Sequence, residues 1–338
     1  MEEENLNSKS TLSTKLDGNR RYCLPFILVI LSATILPQTN AAPPPDADAK
    51  SQNIRSVAKL VLHDAKRNKD LQVRITLPQS TEPAPVIIWS HGAYGSKDVY
   101  LPLTEYWASR GYVVIQPTHE DSIALGNRFG DSKIFQVWQT RPADVTFLID
   151  SLAELAAKEP TLAGKLDTKR IGVGGHSFGA NTAQLIGGAN AYVAGGEKSF
   201  ADPRVTAVMV LSGQGPGEML TDKSWLSFTR PLFVMTGSKD GPTRTGQPAE
   251  WRKKPYELSP SGNKYLVWVE GLDHGYGGIT GVRFNAKNQI NPDHVRWTKL
   301  ATLAFWDVFL KGKPEAQAYL SGNQLQELSK GTLTVSHK

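Results

Sequence analysis

A serine between two glycines, directly after a short apolar run, is the feature that most limits how this chain can fold. Residues 175–179 read Gly-His-Ser-Phe-Gly and follow residues 170–174, Arg-Ile-Gly-Val-Gly, which are typical of a buried strand. A strand that turns sharply into a helix strains its turn residue, and glycines on both sides let neighbouring elements pass without Cβ clashes. The pattern predicts an exposed, nucleophilic Ser177, with an ordinary glycine-rich turn as the alternative.

Two loops predict backbone donors for an oxyanion. Residues 180–186 are typical of a helix, so the amide of Phe178 would lie unpaired in its first turn. Upstream, a buried-strand run ends in residues 91–96, His-Gly-Ala-Tyr-Gly-Ser, which have the form of a second donor loop. We favour the amide of Ala93, with that of Tyr94 as the neighbouring possibility. The alternative is a glycine-rich turn with a buried histidine.

A nucleophilic serine needs a base, and the base needs a carboxylate that fixes its tautomer. Asp240 follows the apolar run 231–236, and His274 follows the apolar run 263–269, so both lie at predicted strand ends. Asp273 competes for the acid role, but a neighbour of His274 on one loop would have difficulty reaching Nδ1 of that ring. The sequence therefore predicts His274 as the base and Asp240 as the acid, with a solvated or loop-capping aspartate as the alternative for Asp240.

Apolar runs alternate with helical segments along most of the chain, which favours an α/β fold with a mostly parallel central sheet flanked by helices. Residues 54–338 are predicted to form one domain without a large lid, with its site beyond the carboxyl ends of the strands. The predicted parallel strands cover residues 86–90, 112–117, 170–174, 205–211, 232–236 and 265–269. The predicted helices cover residues 100–110, 141–157, 180–187 and 294–310, and an antiparallel pair, 56–63 and 71–77, opens the sheet.

The N-terminus predicts export from the cytoplasm. Basic residues precede a short apolar segment and then small residues, so residues 1–41 are predicted to be a signal peptide, with an uncleaved anchor as the alternative. Residues 42–53 are predicted to be a disordered linker because they are rich in Ala, Pro and Asp. The single cysteine, Cys23, lies in the leader, so the mature protein would hold no disulfide. We expect a secreted or periplasmic protein.

The charge pattern limits the partners. The formal net charge is +6, but no basic run is interleaved with aromatic residues, so no nucleic-acid partner is predicted. The sequence shows no metal-spaced His/Cys cluster and no phosphate-cradling loop, and no cofactor or metal is predicted. We expect no stable membrane partner once the leader is cleaved, and the sequence leaves the oligomeric state open.

From about residue 56 to residue 310 the chain resembles the α/β-hydrolases of the dienelactone-hydrolase-like and platelet-activating-factor-acetylhydrolase-like type, whose neighbourhood includes bacterial polyester hydrolases. The order Ser177, Asp240, His274 is the order of that superfamily. The resemblance is carried by residues 90–96, 111–117, 138, 141–144 and 175–180, and by the loops of Asp240 and His274. It implies a serine carboxylic ester hydrolase with an acyl-enzyme intermediate and no cofactor.

The chain differs from these relatives at two positions, which limits the chemistry that the resemblance implies. Dienelactone hydrolases use a cysteine nucleophile, so Ser177 makes that lactone chemistry doubtful, and Ala180 stands where acetylhydrolase-like relatives often have glycine.

The resemblance implies structural roles for Arg141 and Asp144. Tyr94 and Trp138 are substrate-binding candidates, although a tryptophan is equally a core residue.

The predicted substrate is a short-chain or polymeric ester. The first alternative is a phospholipase or platelet-activating-factor-type acyl hydrolase, which would need an exposed apolar rim. A peptidase and a non-catalytic binding protein of the same fold are the others.

Overall fold

A computed structural model describes residues 52–131, 136–242, 246–281 and 290–338 of the chain. The predicted leader, residues 1–41, and all but the last two residues of the predicted linker 42–53 lie outside the described residues. Within the described ranges, no helix combines the length and the apolarity needed to cross a bilayer.

In the described part of the chain, nine strands form one sheet in the order β1-β2-β4-β3-β5-β8-β9-β10-β11, and β6 and β7 form a separate pair. The strands are β1 (Ile54–Asp64), β2 (Lys69–Pro78), β3 (Ala84–Ser90), β4 (Val113–Pro117), β5 (Leu166–His176), β6 (Ala191–Val193), β7 (Gly196–Lys198), β8 (Val205–Leu211), β9 (Leu232–Lys239), β10 (Lys264–Asp273) and β11 (Leu333–His337). All pairs from β4 to β10 in this order are parallel. The pairs β1–β2, β2–β4 and β10–β11 are antiparallel.

Helices cover both faces of the sheet because side chains alternate along each strand. In β3, Val86 and Ile88 join one apolar cluster, whereas Ile87 and Trp89 join another. The first cluster includes residues of α2, α3 and α4, and the second includes residues of α1 and α6. The helices are α1 (Leu101–Ser109), α2 (Val137–Asp150), α3 (Leu152–Lys158), α4 (Phe178–Gly187), α5 (Lys254–Leu258), α6 (Pro292–Lys311), α7 (Gln317–Ser321) and α8 (Gln324–Leu328).

The predicted fold class is confirmed, with the six parallel strands and the antiparallel opening pair in place. The predicted single helix over residues 141–157 is wrong in its bounds. Two helices occupy the region, because Ser151 leaves helical geometry (φ −88°, ψ 1°) and separates α2 from α3. Helix α2 also begins earlier than predicted, at Val137, which is fully buried against Tyr94. The edge strand β11 was not predicted.

Candidate active site

Ser177 lies in a strained turn between β5 and α4. Its backbone has φ 55° and ψ −120°, a conformation that side-chain-bearing residues rarely adopt. A Cβ on Gly175 would lie 2.2 Å from the carbonyl oxygen of Gly179, and a Cβ on Gly179 would lie 2.0 Å from the carbonyl oxygen of Ser90. Both glycines are therefore required by close backbone packing, as the motif predicts.

Asp240 and His274 meet at the ends of β9 and β10. The Asp240 carboxylate lies 2.6 Å from Nδ1 of His274 through Oδ1. Its other oxygen accepts hydrogen bonds from the hydroxyl of Thr236, at 2.8 Å, and from that of Ser212. The Asp240 side chain is fully buried, whereas that of His274 is 32% exposed. The structure thus brings the two predicted residues together and leaves the outer part of the imidazole accessible.

Arg252 supports this pair, and the sequence analysis missed it. Its Nε donates to the carbonyl oxygen of Asp240 at 2.8 Å and lies 3.1 Å from the Asp240 carboxylate, while Nη1 donates to the carbonyl oxygen of Ser212 at 2.6 Å. Burial would raise the pKa of Asp240, but the hydrogen bond from His274 and the charge of Arg252 outweigh it and lower that pKa below its usual range. Asp240 is therefore ionised at neutral pH.

His176 is the last residue of β5, directly before Ser177, and its ring packs against that of the base candidate His274. Its ring centroid lies 4.5 Å from that of His274, with the planes tilted by 50°. Burial and the neighbouring His274 and Arg252 lower the pKa of His176 well below its usual value, so this ring is neutral. Among the described contacts, no hydrogen bond joins the Ser177 hydroxyl to His274; such bonds often tighten only when substrate binds.

In the oxyanion loop (residues 91–96), the amide of Ala93 is available. The amide of Gly92 donates to the hydroxyl of Tyr100 at 3.0 Å, and that of Tyr94 donates to Asp121 Oδ2 at 3.0 Å. The amide of Ala93, between them, has no acceptor among the described residues, and neither has that of Phe178, the first residue of α4. Ala93 and Phe178 both pack against the small apolar cluster of Tyr94 and Val137.

Arg141 stabilises the oxyanion loop through hydrogen bonds to its carbonyl oxygens. Its guanidinium is fully buried and forms two hydrogen bonds with the Asp121 carboxylate, at 2.9 and 2.7 Å. Nη1 also donates to the carbonyl oxygen of His91 at 2.6 Å, and the cation lies 4.5 Å from the ring centroid of Phe178. Burial would raise the pKa of Asp121, but the charge of Arg141 and its hydrogen bonds outweigh it and lower that pKa far below its usual range.

Ser90, His119 and Asp144 form a second Ser-His-Asp set next to the oxyanion loop. His119 Nδ1 is 2.8 Å from Asp144 Oδ2, and His119 Nε2 is 2.9 Å from the hydroxyl of Ser90. The backbone amide of His119 also donates to Nε2 of His91 at 3.0 Å. All of these side chains are buried, so this set cannot meet a substrate and instead orients the start of the loop. The sequence analysis missed His119 and Asp121, although both follow the carboxyl end of β4, where functional residues are expected.

The two substrate-binding candidates lie in different places. Tyr94 is buried, stacks on Phe129 with ring centroids 4.4 Å apart, and lines a cleft of about 650 Å³ beside the oxyanion loop. Trp138 lies in α2, half-buried, with its ring edge against Phe200 at 5.9 Å, and it is not among the residues that line this cleft. The structure therefore does not place Tyr94 and Trp138 in the wall of the same cleft.

Comparison with protein families gives a match over the N-terminal part of the chain. Residues 49–137 match the family model of platelet-activating factor acetylhydrolase, isoform II. The matched range contains β1 to β4 and the oxyanion loop and ends before Ser177. No curated protein sequence matches the chain. Together with the mostly parallel sheet between two helical layers, this match shows an α/β-hydrolase fold and points to a hydrolase that acts on ester bonds.

Proposed function

We propose that this α/β-hydrolase, which is similar to platelet-activating factor acetylhydrolase, isoform II over residues 49–137, is a serine carboxylic ester hydrolase. The observation that carries the proposal is the 2.6 Å contact between the buried Asp240 carboxylate and Nδ1 of His274, beside the strained turn of Ser177. A carboxylate on Nδ1 holds the proton there and leaves Nε2 free to accept another.

Acylation of Ser177 would begin the reaction. The Ser177 oxygen attacks the ester carbonyl carbon as Nε2 of His274 takes its proton, and Asp240 stabilises the imidazolium. The amides of Ala93 and Phe178 bind the negative oxygen of the tetrahedral intermediate. The intermediate then collapses: the bond to the alcohol oxygen breaks, the alcohol leaves with the proton from His274, and the acyl group stays on Ser177.

Water would complete the cycle. It gives a proton to His274 and attacks the acyl carbon, and the same two amides bind the second oxyanion. Collapse breaks the bond to Ser177, which regains its proton from His274, and the carboxylic acid leaves. Arg252 would keep Asp240 ionised throughout, because its charge lowers the pKa of that buried carboxyl.

The substrate that we propose is a short-chain or polymeric ester, hydrolysed by a secreted or periplasmic protein. The free donors and the His–Asp pair are suited to carboxylic esters in general, and a phospholipid with a short acyl chain is the competing substrate. Cell fractionation would test the location: a protein retained in the cytoplasm would contradict it.

The test is hydrolysis of p-nitrophenyl esters from acetyl to long acyl chains, with Ser177→Ala and the control Ser109→Ala. Removing the nucleophile should lower kcat by on the order of 10⁶-fold. Ser109 lies at the end of α1 and its hydroxyl donates to the local carbonyl of Tyr106, so removing this hydroxyl should have no effect.

Activity that survives in Ser177→Ala would contradict the proposal, and so would a folded wild-type protein that hydrolyses no ester. A phospholipid with an acetyl chain, cleaved faster than every simple ester, would select the competing substrate.

A further inference from the structure

An apolar cleft opens beside the candidate site. Its volume is about 650 Å³, within the range of pockets that enclose small organic ligands. Three segments form its walls: the oxyanion loop with the start of α1, residues 123–129, and residues 278–281 of the loop that follows His274. Its apolar side chains include Tyr94, Val99, Leu101, Ile123, Phe129 and Ile279.

The walls of the cleft continue from the loops that carry the candidate site residues. Tyr94 directly follows the candidate donor Ala93, and the segment that contains Ile279 directly follows the loop of His274. Tyr100 lines the cleft as well, and its hydroxyl contacts the residue before Ser177, with 2.9 Å to Nδ1 of His176. The cleft is therefore the candidate place for a group attached to an ester carbonyl at Ser177.

Hydrogen bonds and ring stacking hold the Tyr94 wall of the cleft in place. The backbone of Tyr94 has φ 63°, its amide is bonded to Asp121, and its hydroxyl accepts a hydrogen bond from the amide of Gly130 at 2.9 Å. The ring stacks on Phe129, with 22° between the planes. Phe129 itself is 77% exposed, which is costly for a phenyl ring unless a ligand covers it.

The charges exclude an ionic ligand. The one charged side chain in the lining of the described cleft is Asp98, and it is already paired with Lys97 and Arg74, each at 2.8 Å. An ionic group in the cleft would lose water without gaining a free partner.

We propose that this cleft binds an apolar group of the ester that is larger than acetyl, and that Phe129 sets the preference for its length. The inference rests on the proposed function, since it takes the carbonyl to lie at Ser177. The apolar group can belong to the acyl part or to the alcohol part, and two substrate series distinguish them.

The experiment compares p-nitrophenyl acetate with p-nitrophenyl octanoate, and ethyl acetate with octyl acetate. Phe129→Ala removes a wall and Ala124→Phe fills the cleft from an exposed lining position. Leu125→Ala is the matched control, because Leu125 is 43% exposed in the same turn but does not line the cleft. In the series whose long chain enters the cleft, Phe129→Ala and Ala124→Phe should each lower the ratio of kcat/KM for the octanoyl or octyl ester to that for the short ester about 10-fold. Leu125→Ala should leave this ratio unchanged.

Binding of octyl acetate to Ser177→Ala, measured by calorimetry, separates the two proposals. Binding that weakens about 10-fold in the Ser177→Ala, Phe129→Ala double variant supports the cleft even if the wild type hydrolyses no ester, an outcome that would sink the proposed function alone. Ratios that stay equal to wild type in both series, with ester hydrolysis intact, would overturn the cleft proposal and leave the function standing.

Discussion

The hydroxyl oxygen of Tyr100 lies 2.9 Å from Nδ1 of His176. The same oxygen accepts the amide proton of Gly92 at 3.0 Å. One side chain therefore connects the oxyanion loop with the residue before Ser177, and through the ring of His176 with His274.

We expect Tyr100→Phe to lower kcat about 10- to 100-fold with little change in KM, because a donor displaced by a fraction of an ångström stabilises the oxyanion less well. The control is Tyr112→Phe, which removes a buried hydroxyl bonded to Asp307 at 2.6 Å, at the amino end of β4 and so opposite the strand ends that carry the site residues. Each variant should lose about 1–3 kcal/mol of stability in urea unfolding. Equal kcat values in the two variants would assign Tyr100 to stability alone.

Asp240→Asn should lower kcat by about 10⁴-fold while the protein stays folded, because an amide no longer fixes the tautomer of His274. Asp273→Asn is the matched control: the Asp273 carboxylate accepts a hydrogen bond from the backbone amide of Gly275 at 2.9 Å and, among the described residues, forms none with the His274 ring. Steady-state kinetics with a p-nitrophenyl ester measure kcat for both variants. A larger loss in Asp273→Asn than in Asp240→Asn would reverse the assignment of the acid.

Gly179→Ala should prevent folding, or lower soluble yield severely, because its Cβ would lie 2.0 Å from the carbonyl oxygen of Ser90. Gly217→Ala is the control, since a Cβ there would meet no atom within 4 Å. Circular dichroism and thermal unfolding of the two variants make the comparison. A Gly179→Ala protein as stable as Gly217→Ala would show that β3 and α4 can move apart at this contact.

Acid should unfold the protein partly through Asp121. Its pKa is lowered in the folded state and is about 3.9 in an unfolded chain, so the unfolded state binds more protons as the pH falls. The stability that ionised Asp121 contributes is therefore present above about pH 4 and is lost as the pH falls through the folded-state pKa. Urea unfolding between pH 6 and pH 3 should show a smaller decline for Asp121→Asn than for wild type, and parallel curves would refute this.

The positions of most strands and of the site candidates along the chain could be predicted because both depend on local patterns. Strand β3, for example, is buried along its whole length, so it appears in the sequence as a continuous apolar run that ends where the oxyanion loop begins. The same pattern after β9 and β10 led to Asp240 and His274.

The contacts of the supporting residues could not be predicted, because they join distant parts of the chain. Arg141 contacts the carbonyl oxygen of His91 from fifty residues away, and Arg252 contacts Asp240 from a separate turn. The choice between the amides of Ala93 and Tyr94 also stayed open in the sequence, since it depends on a hydrogen bond from Tyr94 to Asp121. Trp138 lay outside the predicted helix 141–157 because nothing in the sequence marks Val137 as the start of α2.

Strand β11 pairs with β10 from Tyr265↔His337 to Val269↔Leu333, and β10 leads directly to His274. Since β11 follows His274 in the chain, Ser177, Asp240 and His274 leave the ribosome before the strand that pairs with β10. Until then, the backbone groups of β10 along this edge have no neighbour, and an open edge of this kind readily pairs with another chain. While the chain is being made, β10 is therefore a strand at which two unfinished copies can join.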